Sequence, residues 1–239
     1  MVDFFNINRS SCVIEYLQFE FITMVGKKLY KYTKMYYVYS LDADDNPSFR
    51  VSNYVNRELG MGDSFCESIS VNTIEEWTNT FDKIQNASSP TSIPIIFVEC
   101  HGDRNGNLII GGKNSKDKIR MKDFLVTIET IHDKCLEKIL LLTAICHGLY
   151  FFRKMQKLGI DSPCSCIIGS FTPQSRFDIE CRYKAFFNNL LISKRRGSIR
   201  SAFTAMNRVY LGNKVEFNYG KGKRYAIITG RGISYLTKN

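Results

Sequence analysis

Ile95-Ile96-Phe97-Val98-Glu99-Cys100-His101-Gly102 and Ile139-Leu140-Leu141-Leu142-Thr143-Ala144-Ile145-Cys146-His147-Gly148 decide how this chain is read. Each is an apolar run of strand length that stops at a reactive side chain followed by glycine. Buried parallel strands deliver chemistry to the carboxyl edge of a sheet in this way. A thiol becomes an efficient nucleophile when a neighbouring base favours the thiolate, so His101 and Cys146 read as a dyad. Their separation, 146 − 101 = 45 residues, accommodates a strand, a crossover helix and a second parallel strand ending on the same edge. Gly102 allows a sharp turn after the base, and its N–H, with that of Cys146, can face a developing oxyanion.

Adjacent reactive residues compete with this pairing. Cys100, His101, Cys146 and His147 together resemble a tetrahedral zinc set. Neighbouring residues of a strand point to opposite faces, which argues against one ion meeting all four. The same geometry makes Cys100 and His147 bystanders, and no metal or organic cofactor is expected. Cys164 and Cys166, separated by one residue, do not revive a metal site. His132 is expected at the surface.

The pattern around Cys146 resembles a known family. Caspases carry Q-A-C-[RQG]-G with the histidine roughly 50 residues upstream, and here Ala144-Ile145-Cys146-His147-Gly148 follows His101. The downstream order is closer to the CHAT branch of the caspase-like superfamily, which is also similar to separase. An apolar strand ends in Gly-Ser within Cys166-Ile167-Ile168-Gly169-Ser170-Phe171-Thr172-Pro173, and two amphipathic helices follow over 183–191 and 198–210. The resemblance covers residues 92–210. Thr172 stands where the family usually carries a tryptophan, and Gln174-Ser175-Arg176 where it carries acids.

That resemblance implies an α/β, caspase-like three-layer αβα sandwich with a mostly parallel central sheet and an N-terminal β-rich extension. The whole chain, 1–239, would be one peptidase domain, with 1–85 its β-rich part and 92–239 carrying the catalytic strands. It also implies a cysteine endopeptidase cutting a specific protein, regulated in bacterial defence or cell death, with an activating partner protein. The segment after the third strand would bind substrate: Ser170 and Thr172 lining the cleft, and Arg176 or Asp178 supplying the charge. A guanidinium there favours acidic substrates and a carboxylate basic ones. A silent interaction module on the same scaffold, or a nucleic-acid-binding regulator, are the other classes considered.

Composition frames these expectations. The 239 residues are 44% hydrophobic and 13% aromatic, enough for a sizeable core in one α/β domain. No basic leader precedes an apolar stretch at the start, and no apolar run reaches spanning length, so a cytoplasmic, soluble chain without membrane insertion is expected. Eight cysteines in a chain of this size read as reduced thiols. Charge is uneven: residues 182–239 hold 13 Lys or Arg and only Glu216 as acid, +12 of a whole-chain +10. That surface suits nucleic acid or an acidic partner, or is simply a set of solvated faces.

The remaining segments are read coarsely. Residues 12–21 and 29–41, joined through Val25-Gly26-Lys27-Lys28, predict a hairpin, and 48–55 a further strand. Asn72 with Glu75 predicts a capped helix burying Ile74, Trp77, Phe81 and Ile84. Residues 86–92 form a loop. After His101, a turn at 103–107 and a short strand at 108–110 predict a hairpin-like excursion walling the site. A loop at 111–117 leads to a crossover helix with Phe124, Ile128 and Ile131 inward. Another helix is expected over 149–158, the run Lys194-Arg195-Arg196-Gly197 joins two helices, and final strands are expected at 214–219 and 224–229.

Overall fold

A computed structural model of the chain describes residues 32–42, 49–136, 139–146, 149, 166–170, 175–192, 198–209, 225–229 and 232–234. Its strands are β1 (Lys34–Ser40), β2 (Cys66–Ser70), β3 (Pro94–Gly102), β4 (Leu108–Ile109), β5 (Lys118–Ile119), β6 (Leu140–Ile145), β7 (Cys166–Ser170), β8 (Tyr225–Thr229) and β9 (Gly232–Ser234). The main sheet runs in the order β2-β1-β3-β6-β7-β8-β9, parallel through β7 and antiparallel thereafter. The expected α/β class with a mostly parallel central sheet is therefore what the chain adopts.

The two opening motifs form the centre of this sheet. Residues 94–100 of β3 and every residue of β6 are buried, which explains why both read as unbroken apolar runs and not as alternating ones. Each fully buried Ile, Leu or Phe side chain contributes about 1.5–3 kcal/mol of transfer free energy, so these strands anchor the fold.

Helices cover both faces. A short helix α1 (Phe49–Asn53) continues into a π-helical turn (Tyr54–Glu58) between β1 and β2. Helix α2 (Ile74–Ala87) leads from β2 back to β3, and α3 (Met121–Lys134) from the excursion to β6. After β7 come α4 (Arg176–Phe187), extended by a π-helical turn (Asn188–Ile192), and α5 (Ile199–Arg208). Right-handed crossovers place the β1-to-β2 connection on one face and the β2-to-β3 and β3-to-β6 connections on the other. Contacts agree: α1 and α5 both pack on α4, while α2 meets α3 through Trp77, Phe81 and Phe124, with ring centroids 4.7–5.6 Å apart.

On the α4 face, Phe97 lies between Tyr37, Tyr183 and Phe187, with centroids at 5.2, 4.5 and 6.4 Å. The Tyr183 hydroxyl donates to the Thr143 carbonyl at 2.9 Å, and the Tyr37 hydroxyl to the buried Glu99 carboxylate at 2.5 Å. Burial pushes the Tyr183 phenol well above its usual range. These bonds satisfy polar atoms that would otherwise cost about 1–3 kcal/mol each inside a core.

Several sequence expectations need correction. Of the strand expected at 48–55, the described residues 49–55 are helical: Val51 and Val55, one helical turn apart, are fully buried, so the spacing of apolar positions outweighs β-branching. The α2 cap is one residue later than expected. Thr73 accepts from the Glu76 N–H, and the Glu76 carboxylate accepts from the Asn72 N–H at 2.6 Å. Ile74 is exposed, while Trp77, Phe81 and Ile84 face inward. His132 is buried on α3 and not at the surface.

Strands β1 and β2 belong to the central sheet itself, β1 lying between β2 and β3. The hairpin half at 12–21, its turn at 25–28, residues 150–158 of the expected helix, the basic run at 194–197 and the strand at 214–219 lie outside the described residues. Antiparallel neighbours of β8 are β7 and β9. The helix with Phe124, Ile128 and Ile131 inward is α3. Six described cysteines, Cys66, Cys100, Cys135, Cys146, Cys166 and Cys181, carry free thiols.

Candidate functional site

The chain leaves β1 towards β2, then returns past β1 to add β3, β6 and β7 on its other side. The strand order therefore reverses between β1 and β3, and open α/β sheets form ligand crevices outside the carboxyl ends of strands at such a point. His101 sits at this place. It is next to last in β3, with its side chain 23% exposed.

Register supplies the neighbour expected from sequence. Strands β3 and β6 pair in parallel with Cys100 opposite Ile145. His101 is the next residue of β3, and Cys146 directly follows β6 and is partly buried. The backbone confirms how closely the two strand ends approach. A Cβ on Gly102 would lie 2.2 Å from the Cys146 carbonyl oxygen and 2.7 Å from Ile145 Cγ2. No other residue fits there without displacing Cys146, so the glycine serves the close approach.

Burial separates the two strand-end cysteines. Cys100 lies inside the core, where desolvation raises its thiol far above the ordinary range, with the nearby Glu99 adding to the effect. A thiol so buried stays protonated and inert. Cys66 is likewise pushed up to about 12 by burial. Cys146, beyond the end of its strand, is the more exposed of the pair.

The excursion after His101 forms as expected. Strand β4 pairs antiparallel with the end of β3, placing Ile109 opposite His101 and Leu108 opposite Gly102, and β5 pairs with β4. Asp103 organises the turn: its Oδ1 accepts from the N–H groups of Asn105 and Asn107 at 2.8 and 3.0 Å. Burial raises the Asp103 carboxyl, but bonds from Asn107, Asn105 and Lys118 outweigh it and hold the group below its usual range.

Sequence reasoning missed Asp42. It lies two residues beyond β1, and its Oδ2 is 3.3 Å from His101 Nε2. Both Asp42 oxygens accept from the Lys113 N–H at 3.1 Å, while the Gly111 N–H donates to Ser40 Oγ at 2.8 Å. Gly111 and Gly112 adopt φ of +83° and +96°, and a Cβ on Gly112 would lie 2.1 Å from Asp42 Oδ1. The loop thus closes down on the carboxylate. The sequence signal was the Gly111-Gly112 pair, whose left-handed backbone glycine alone adopts readily; nothing local tied it to Asp42.

The expected substrate segment is distributed differently from its linear order. Ser170 ends β7 fully buried, its carbonyl accepting from the Leu149 N–H at 3.2 Å. Thr172 lies outside the described residues. Asp178 is buried in the first turn of α4, where Arg182 Nε donates to it at 2.6 Å and Arg182 Nη1 also donates to the Met206 carbonyl at 3.1 Å. That carboxylate orients the guanidinium that ties α4 to α5 and is not presented to solvent. Arg176 is exposed at the start of the same helix, beside the 58%-exposed Phe177.

Among the described residues, no group of three or more His, Cys, Asp or Glu side chains is arranged to hold a metal ion; His147 lies outside them. Within the same residues no helix is long and apolar enough to cross a membrane. No protein-family model matches the chain, and no curated protein matches its sequence.

Proposed function

We propose that the chain is a caspase-like cysteine endopeptidase of the CHAT type, acting in the cytoplasm on a protein substrate. One observation supports the reading: β3 and β6 pair in parallel up to Cys100 and Ile145, and Gly102 closes on the Cys146 carbonyl, so the strand ends that carry His101 and Cys146 meet at the carboxyl edge, next to the topological switch point. Cys146 attacks the scissile carbonyl as thiolate, with His101 having taken its proton. The tetrahedral oxyanion meets the N–H groups of Gly102 and Cys146. His101 then protonates the leaving amine, and water activated by the same imidazole hydrolyses the thioester. No cofactor enters this sequence of steps.

Specificity follows from what the first turn of α4 leaves exposed. With Asp178 engaged by Arg182, Arg176 is the charge of that segment open to a ligand, so the reading takes an acidic residue before the scissile bond. A peptide-library cleavage profile of the wild type, Cys146→Ala and His101→Ala tests it, run with any activating protein that co-purifies. Cleavage after acidic residues, abolished in both variants, supports the assignment. Cleavage that survives both substitutions overturns it.

A further inference from the structure

We propose that Asp42 is the positioning residue of this site, holding His101 in the Nε2–H tautomer so that Nδ1 is the atom that takes the Cys146 proton. The inference rests on the dyad reading above and adds a third residue and a definite proton location. Its basis is geometric. Asp42, His101 and Cys146 stand at the ends of the three adjacent parallel strands β1, β3 and β6, and Asp42 Oδ2 faces His101 Nε2 at 3.3 Å.

A neutral imidazole carries one donor and one acceptor nitrogen, and the partner of one decides the role of the other. An ionised carboxylate only accepts, so the nitrogen facing it must bear the proton. The carboxylate is gripped from the loop side. Lys113 N–H donates to both its oxygens, and the Gly112 backbone packs where any side chain would strike Oδ1. Because β4, in the same excursion, pairs with His101 itself, the segment 103–119 holds both the base and the group that orients it. The 3.3 Å contact is that of a charge pair and falls short of hydrogen-bond geometry; catalytic hydrogen bonds commonly tighten only in the complex with substrate.

The amide variant gives a test that a merely structural role fails. In Asp42→Asn the side-chain oxygen keeps the Lys113 N–H, which turns the NH₂ group towards Nε2 and forces the proton onto Nδ1, the wrong nitrogen for the thiol. Asp42→Ala removes the Lys113 contact but leaves the tautomers to equilibrate. The inference therefore expects Asn to be the more damaging change, whereas a scaffold role expects Ala to be.

The readout is the rate of iodoacetamide alkylation at Cys146, located by peptide mass mapping and independent of any substrate. Asp42→Asn is expected to slow it by about 10-fold or more, the ceiling being the roughly 10²–10⁴-fold that a positioned base supplies, and Asp42→Ala by less. Two-bond ¹H–¹⁵N spectra at alkaline pH, with His101 assigned by its loss in His101→Gln, should show the Nε2–H form in the wild type and the Nδ1–H form in Asp42→Asn. Slowing in His101→Gln with wild-type rates in Asp42→Asn overturns the role of Asp42 and leaves the dyad standing. Wild-type alkylation in His101→Gln overturns the dyad and this inference together. A wild-type Nδ1–H form, or Ala slower than Asn, also overturns the inference.

Discussion

Gly102→Ala offers the sharpest test of how the two strand ends meet. The new Cβ would sit 2.2 Å from the Cys146 carbonyl oxygen and 2.7 Å from Ile145 Cγ2, where ordinary contacts begin near 3.4 Å. One obstacle is backbone and has no rotamer to change, so Cys146 or the end of β3 must move by about 1 Å. Overpacking of this kind costs about 1–3 kcal/mol. For the site, a misplacement of about 1 Å is worth roughly 10²-fold in rate. Urea titration should show a lower midpoint, and alkylation mapped to Cys146 should fall with peptide cleavage. Gly62→Ala is the control: its φ is +81° but nothing lies within 4 Å of the added atom, so it should cost about 1 kcal/mol of backbone strain and leave Cys146 reactivity alone. Wild-type stability and wild-type Cys146 reactivity in Gly102→Ala would refute the close-approach argument.

Three further outcomes follow from other parts of the molecule. Tyr37→Phe removes a donor from the buried Glu99 carboxylate and should lower unfolding free energy by about 1–3 kcal/mol; an unchanged urea midpoint would count against that bond. Glu67 accepts from Lys34 and Lys83, whose bonds outweigh burial and hold its carboxyl below the usual range. Its contribution is therefore present above the unfolded value near about 4.3 and lost as pH falls through the lower folded value. Wild type and Glu67→Gln should differ near neutral pH by less than about 1 kcal/mol, the pair being partly exposed, and converge in acid; a gap that widens in acid would contradict the sign. Arg176→Glu should shift the library profile from acidic towards basic residues before the scissile bond, and an unaltered profile would remove Arg176 from the substrate pocket.

Much of the centre was legible in the chain because its determinants are local. The apolar runs ending at His101 and Cys146 could only be doubly buried strands, and the 45 residues between them suffice for a crossover, so neighbouring parallel placement followed. Helix α3 was readable from Phe124, Ile128 and Ile131, and the turn from Asp103 to Asn107. The segment 48–55 misled because Val51 and Val55 are β-branched, yet their spacing matched a helix that connects β1 to β2 and packs against α4. Asp178 looked like a free pocket charge, although Arg182 stood one helical turn away at a distance where an ion pair forms.

What only the tertiary structure decided is which distant pieces share the carboxyl edge. Asp42 precedes His101 by 59 residues, with α1, β2 and α2 between them, and no periodicity marks it as special. It reaches His101 because β1 hydrogen-bonds to β3 while β2 is displaced to the edge. Strand order is chosen by how whole faces pack and how crossovers turn, quantities summed over the sheet and written in no single segment. The chain by itself determined the strands that end at His101 and Cys146; the sheet order determined the carboxylate beside His101, the loop that grips it, and the burial that sets Cys146 apart from Cys100.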